Sequence, residues 1–258
     1  DTINKILDYL KLCPSNEINS LNIRMMEIYY HFDNDNFLKF FHLLDNQELE
    51  EKDKEKFNQF KANYYIKQEK YNEAYQAILK LKNKHAYLGR LYFEMNKFID
   101  ARREYLLAEN LNIDLAYVDY YLDNIEEAIK IASQFPSCDK NIFEAIQKYR
   151  QGGRLDFHLI DGNNAQNVFM AIIKMKAMNK ANAYQEGKRV LDIVKDVYPG
   201  LRYLFYEVFY QSIKDYQEAL AIHLELEATK RIINTPLVYQ GDPKKLDAEL
   251  DLKGCSRI

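Results

Sequence analysis

The sequence contains no tryptophan, and only three cysteines, five prolines and eight glycines among 258 residues. So few chain breakers over such a length exclude a fold of many short strands and loops. They call instead for helices joined by tight turns. The cysteines, Cys13, Cys138 and Cys255, are odd in number, far apart and without a C-x-x-C pair. That usage fits free thiols in a reducing compartment and leaves a periplasmic one open. There is no N-x-[ST] sequon, no run of about 18 apolar residues and no charged-then-apolar leader, so direct membrane insertion is not expected. The chain starts at Asp1 rather than at methionine, which leaves room for a preceding signal, anchor or domain. A cytoplasmic location is the expectation, and a periplasmic one follows if a signal preceded Asp1.

Charge of one sign is also missing. The formal net charge is −3, and no sustained basic stripe stands ready to neutralise phosphates, which argues against nucleic acid as a partner. The densest run, Glu48 to Lys56, mixes both signs and reads as a solvated helix start. No G-x-x-x-x-G-K-[ST] loop, G-x-G-x-x-G fingerprint, H-E-x-x-H helix or G-x-S-x-G elbow occurs. The five histidines (31, 42, 85, 158 and 223) are scattered, and no metal site is expected. Arg154, Asp156, His158 and Asp161 gather in a glycine-bearing segment, where a histidine beside carboxylates can serve as acid–base machinery. Nothing upstream supplies a nucleophile or a phosphate cradle. The cluster therefore reads as an ordinary connector, and neither an enzyme nor a cofactor is expected.

What the sequence does hold is apolar surface: 47% hydrophobic against 29% charged residues, with 21 Tyr and 14 Phe. This is the balance of a chain that buries a core. Tyrosine offers an apolar body with a polar tip, suited to half-buried helix faces and to binding grooves. A coding sequence rich in A and T would give the same excess.

The apolar residues are ordered by a repeat. Lys70-Tyr71-Asn72-Glu73-Ala74, Lys97-Phe98-Ile99-Asp100-Ala101 and Asn124-Ile125-Glu126-Glu127-Ala128 stand in register, with the alanines 27 residues apart. Twelve residues before each lies another small residue: Ala62, Gly89 and Ala116. Each unit reads as two short helices with a turn near Lys70, Lys97 or Asn124. Paired small residues let the two backbones approach, while Tyr65, Tyr92, Ile78 and Tyr105 fill the seam at i, i+3, i+4 spacing. The acidic residue before each alanine falls in a first turn, where the helix dipole favours negative charge.

Upstream, Leu21–Phe32 and Asn36–Leu44 read as another helical hairpin. Downstream, Tyr184-Gln185-Glu186-Gly187 is echoed by Tyr216-Gln217-Glu218-Ala219, with helices from about 165 to 179 and 201 to 213 before them. Five or six hairpins then cover roughly 21–231. The division expected is N-terminal hairpins over 1–150, a glycine-containing linker or short hairpin over 151–164, C-terminal hairpins over 165–233, and an irregular tail over 234–258. In the 151–164 segment Leu155, Phe157 and Leu159 alternate with polar residues.

Leu88-Gly89-Arg90-Leu91-Tyr92 followed by Ala101-Arg102-Arg103-Glu104-Tyr105 resembles the tetratricopeptide (TPR) signature, L-G-x₂-Y then A-x₃-F. Ala62 to Tyr65 with Ala74 is a second copy, and Ala116 with Ala128 a third, weaker one. The period is 27 rather than 34, His85 stands at the tryptophan position of the best copy, and the closing proline is absent. The resemblance implies an all-α, right-handed α-solenoid of stacked antiparallel helical hairpins. It also implies that first helices line a concave face for a partner peptide or helix. The family's groove positions fall here on Asn63, Lys67, Arg90, Phe93, Tyr117 and Tyr120, a set suited to a partly acidic, partly apolar peptide. Positions that clamp a chaperone tail in some members fall on Gln59, Ala86 and Ile113, which cannot complete that clamp. The implied role is a scaffold or adaptor within a larger assembly. The alternative is a peptide- or ligand-sensing domain of a regulator.

Overall fold

A computed structural model describes residues 15–157, 160–213 and 217–240. Among them the chain is all-helical, with thirteen helices and no strand. They are α1 (Ser15–Phe32), α2 (Asn34–Asp45), α3 (Glu51–Lys67), α4 (Tyr71–Ile78), α5 (His85–Glu94), α6 (Phe98–Leu107) and α7 (Asp114–Tyr121). Then come α8 (Ile125–Ala132), α9 (Asp139–Arg150), α10 (Asn164–Ala177), α11 (Lys180–Val194), α12 (Pro199–Ile213) and α13 (Ala219–Ile233). No helix among the described residues is long and apolar enough to cross a membrane.

The 27-residue repeat has a backbone cause. Glu69, Asn96 and Asp123 are the only non-glycine residues described with positive φ, at 59°, 57° and 66°. Each closes a helix with the paired bonds of a Schellman turn. Lys70 N donates to Tyr65 O and Glu69 N to Ile66 O; Lys97 N donates to Tyr92 O and Asn96 N to Phe93 O. Asn124 N donates to Asp119 O and Asp123 N to Tyr120 O. The residue after each left-handed position then accepts the first bond of the next helix, from Ala74, Ala101 or Ala128. One helix therefore stops and the next begins within three residues. All six small residues of the repeat are buried. At Gly89 a Cβ would sit 2.6 Å from the Tyr105 ring, so α5 and α6 meet at a distance only glycine allows.

The third copy departs from the pattern in a way the structure explains. Where the first two have Tyr65 and Tyr92, it has Asp119, which is 1% exposed. Arg102 on α6 reaches it, Nε to Oδ1 at 2.7 Å, and supplies the opposite charge that a buried carboxylate requires.

The chain divides into two compact units. One comprises 1–84 with 238–258, the other 85–237. The division falls inside the 1–150 span, and 151–157 and 160–163 lie within the second unit. In the first unit α1 packs on α2 and α3, and α3 on α4. Its core is aromatic, built on Phe37, Phe40, Phe41 and Phe57. Asp33 separates α1 from α2 as a one-residue break, its side chain accepting from Asn36 N at 3.0 Å. The tail described to Gln240 is extended and tied to α4. Val238 N donates to Asn72 Oδ1 (2.9 Å), Gln240 N to Gln76 Oε1 (3.1 Å), and Gln76 Nε2 to Val238 O (2.6 Å).

In the second unit each helix from α5 to α9 packs on the next, as do α10 to α13. Gln151–Gly153 is another Schellman end, with Gly152 at φ 89°. The segment after it is irregular and buries Phe157. His158, Leu159 and Tyr216 lie outside the described residues, as do Cys13, Cys255 and the tail beyond Gln240. At Gly187 the Phe209 ring lies 2.2 Å from where a Cβ would be, repeating on α11 and α12 the close approach seen at Gly89. The unit also makes a contact between helices far apart in sequence: α12 returns to α5. Phe93 and Tyr198 meet with ring centroids 5.2 Å apart, and Asn96 Nδ2 donates to Gly200 O at 3.0 Å.

Candidate functional site

That return leaves a cavity of about 410 Å³ in the second unit, the size of a site for a small molecule or a few side chains. Four helices begin at it. α7 opens at Asp114, whose backbone N–H is held by Asn112 Oδ1 at 2.9 Å. α9 opens at Asp139, after the rim residues Phe135, Pro136 and Ser137. α10 starts with a capping box between Asn163 and Gln166. α12 starts at Pro199, where a fixed φ and a missing N–H suit a first helical position.

The walls are aromatic: Phe93, Tyr117, Phe135, Phe169 and Tyr198. Phe169 meets Tyr117 edge-on, centroids 5.1 Å apart, and Tyr117 meets Phe143 at 5.1 Å. Two carboxylates line the same cavity. Asp139, 3% exposed, accepts at Oδ1 from the Tyr117 hydroxyl and from Gln166 Nε2, the latter at 2.8 Å. Asp114 accepts at Oδ2 from the Tyr105 hydroxyl at 3.0 Å. Among the described residues no donor reaches the second oxygen of either carboxylate.

The electrostatics follow from that enclosure. Loss of water raises the Asp114 pKa above the ordinary carboxyl value, and nearby Asp139 adds to it, against the Tyr105 hydrogen bond and the Arg90 charge. Burial likewise pushes the Tyr117 and Tyr198 hydroxyls upward, so both stay neutral donors. Among the described residues no group of three or more His, Cys, Asp or Glu is placed to hold a metal ion.

The structure distributes the six residues singled out in the sequence. Phe93 and Tyr117 are together in the cavity. Tyr120 lines a smaller neighbouring hollow of about 190 Å³, where the Arg150 guanidinium lies 5.4 Å over its ring. Arg90 is paired within α5, its Nε donating to Glu94 Oε1 at 3.0 Å. Asn63 and Lys67 belong to the first unit, where Lys67 Nζ lies 5.9 Å from the Tyr30 ring centroid. Phe93 is 3% exposed: Tyr198 packs on its ring, as Phe169 does on that of Tyr117 of α7. Of the positions argued against a chaperone-tail clamp, Ile113 lines the cavity.

Sequence reasoning missed Asp114, Asp139, Phe169 and Tyr198. An acidic residue opening a helix reads as a surface residue favoured by the dipole. Phe169 reads as one more core residue, and Tyr198, before Pro199-Gly200, as part of a connector.

No family model, curated protein or solved structure matches this chain.

Proposed function

We propose that the chain is a TPR-like, right-handed helical-hairpin solenoid acting as a protein-interaction module, a scaffold or adaptor and not an enzyme. In this reading it takes a segment of a partner protein into the cavity of its second unit. One observation carries the proposal. Phe93 and Tyr117, on the first helices of two successive hairpins, form with Phe135, Phe169 and Tyr198 a preformed aromatic hollow large enough for side chains. Aromatic residues in well-packed pockets are enriched among the anchors of protein–protein interfaces.

The test uses peptides displayed on phage, selected on the whole chain and re-tested on Ser137→Trp. Ser137 is an exposed rim residue, so its replacement fills the mouth without touching the core. Peptides that bind the parent and lose binding on the variant, with helicity and melting unchanged, support the reading. Peptides that bind both equally, or no selected peptide at all, refute it. Tyr117→Ala is unsuited to this purpose, since it removes a donor to buried Asp139 and opens a hole between Phe143 and Phe169.

A sensing role is the second reading, favoured by the contact that closes the unit. A ligand seated against Phe93 and Tyr198 would bias the return of α12 onto α5, a mechanical output that a pure scaffold does not need.

A further inference from the structure

Resting on the reading of this cavity as a partner site, we infer that the group it recognises is a primary ammonium on an apolar stem, as in an unmodified lysine side chain. Three features lead there. First, the ionisable groups lining the cavity are acidic. Asp114 and Asp139 face it with one oxygen each unused by any donor among the described residues. A carboxylate or phosphate ligand would meet two like charges at close range. Second, the walls are five aromatic rings, whose faces attract a cation and whose area covers a hydrocarbon stem. Third, Arg90, whose charge reaches Asp114, is paired with Glu94 at 3.0 Å and does not line the cavity.

The first turns of α7 and α9 offset part of the carboxylate charge, since helix N-termini carry partial positive charge. That leaves a site of modest negative potential with two vacant acceptors, which calls for a ligand that both carries charge and donates hydrogen bonds. A primary ammonium has three N–H donors. A quaternary ammonium has none, and an acetylated amine has one donor and no charge. Discrimination among these three is therefore the signature of the site.

The experiment titrates the whole chain with Nα-acetyl-lysine N-methylamide, its Nζ-acetyl form and its Nζ-trimethyl form, followed by ligand-observed NMR. The unmodified probe is expected to bind, with acetylation weakening it about tenfold or more and trimethylation by a lesser factor, as charge-assisted hydrogen bonds are lost. Asp114→Asn should weaken the unmodified probe about tenfold and leave the acetyl form unchanged. Equal or tighter binding of the acetyl form, or no binding of the unmodified probe, overturns the inference. The two readings fail separately. Phage-selected peptides that need an open cavity but tolerate lysine acetylation remove the ammonium and keep the partner site, whereas Ser137→Trp without effect on any selected peptide removes the partner site itself.

Discussion

Replacing Gly89 by alanine is expected to destabilise the second unit, and to stabilise it once Tyr105 has been shortened. A Cβ at position 89 would lie 2.6 Å from Tyr105 Cδ1 and 2.8 Å from Cε1 and Cγ, where carbon atoms need about 3.5–4.0 Å. The ring must therefore retreat by about 1 Å. It has nowhere to go: Tyr105 is 3% exposed and its hydroxyl is held by Asp114 at 3.0 Å. Overpacking of this kind costs about 1–3 kcal/mol. Alanine returns about 0.8–1.0 kcal/mol of helix propensity lost to glycine. The net expectation is a loss of about 1 kcal/mol, or about 2–4 °C in melting midpoint for a unit of this size.

With Tyr105→Leu in place the obstacle is gone and only the propensity remains. Gly89→Ala should then raise the midpoint by about 2–4 °C relative to Tyr105→Leu alone. Four proteins, melted under far-ultraviolet circular dichroism, give the full cycle, and the coupling should be about 1–3 kcal/mol. If alanine shifted the midpoint by the same amount in both backgrounds, the close approach of α5 and α6 would not be the reason for glycine at this position.

Three further outcomes follow from the same contacts. Glycine at two of the left-handed turn positions should act differently. Asp123→Gly should be near neutral, because relief of αL strain is offset by loss of the exposed Arg150 pair. Asn96→Gly should be destabilising, through loss of the bond to Gly200 O; equal shifts in melting midpoint for the two would refute the assignment. Asp114→Asn should gain stability over the parent as pH rises. The folded carboxyl titrates above its unfolded value near 3.8, so Asp114 favours folding below that value and loses this contribution as pH climbs through the folded pKa. The groups that set it are Tyr105 on α6, Arg90 on α5 and Asp139 on α9, with Glu94 and Tyr117 close by; a stability difference that shrinks with rising pH would contradict the buried charge. Finally, Asn72→Ala with Gln76→Ala should speed hydrogen exchange at the Val238 and Gln240 amides about tenfold, since each bond contributes about 0.5–1.5 kcal/mol, and unchanged protection there would show the tail is held by something else.

How far the sequence could be read depends on which contacts repeat. Ala62, Gly89 and Ala116 with their partners announce the hairpins because every copy must solve the same problem, two backbones meeting across a seam. The turns were legible for the same reason, although Glu69, Asn96 and Asp123 carry none of the glycine expected at a left-handed helix end. Register substituted for residue type. Repeat arrays fix neighbours in this way and nothing further. The cavity is made by a contact of the other kind. Phe93 meets Tyr198, and Asn96 holds Gly200, across more than one hundred residues, a separation that no 27-residue period encodes. Gly200 shows how specific that contact is, since a Cβ there would fall 2.6 Å from Glu94 O. Phe93 and Tyr117 are thus covered by single residues appearing once, and the carboxylates beside them, which the sequence reads as dipole-favoured surface groups, line the cavity as acceptors. The chemistry of the site comes from the closure, and the closure lies in the residues that break the repeat.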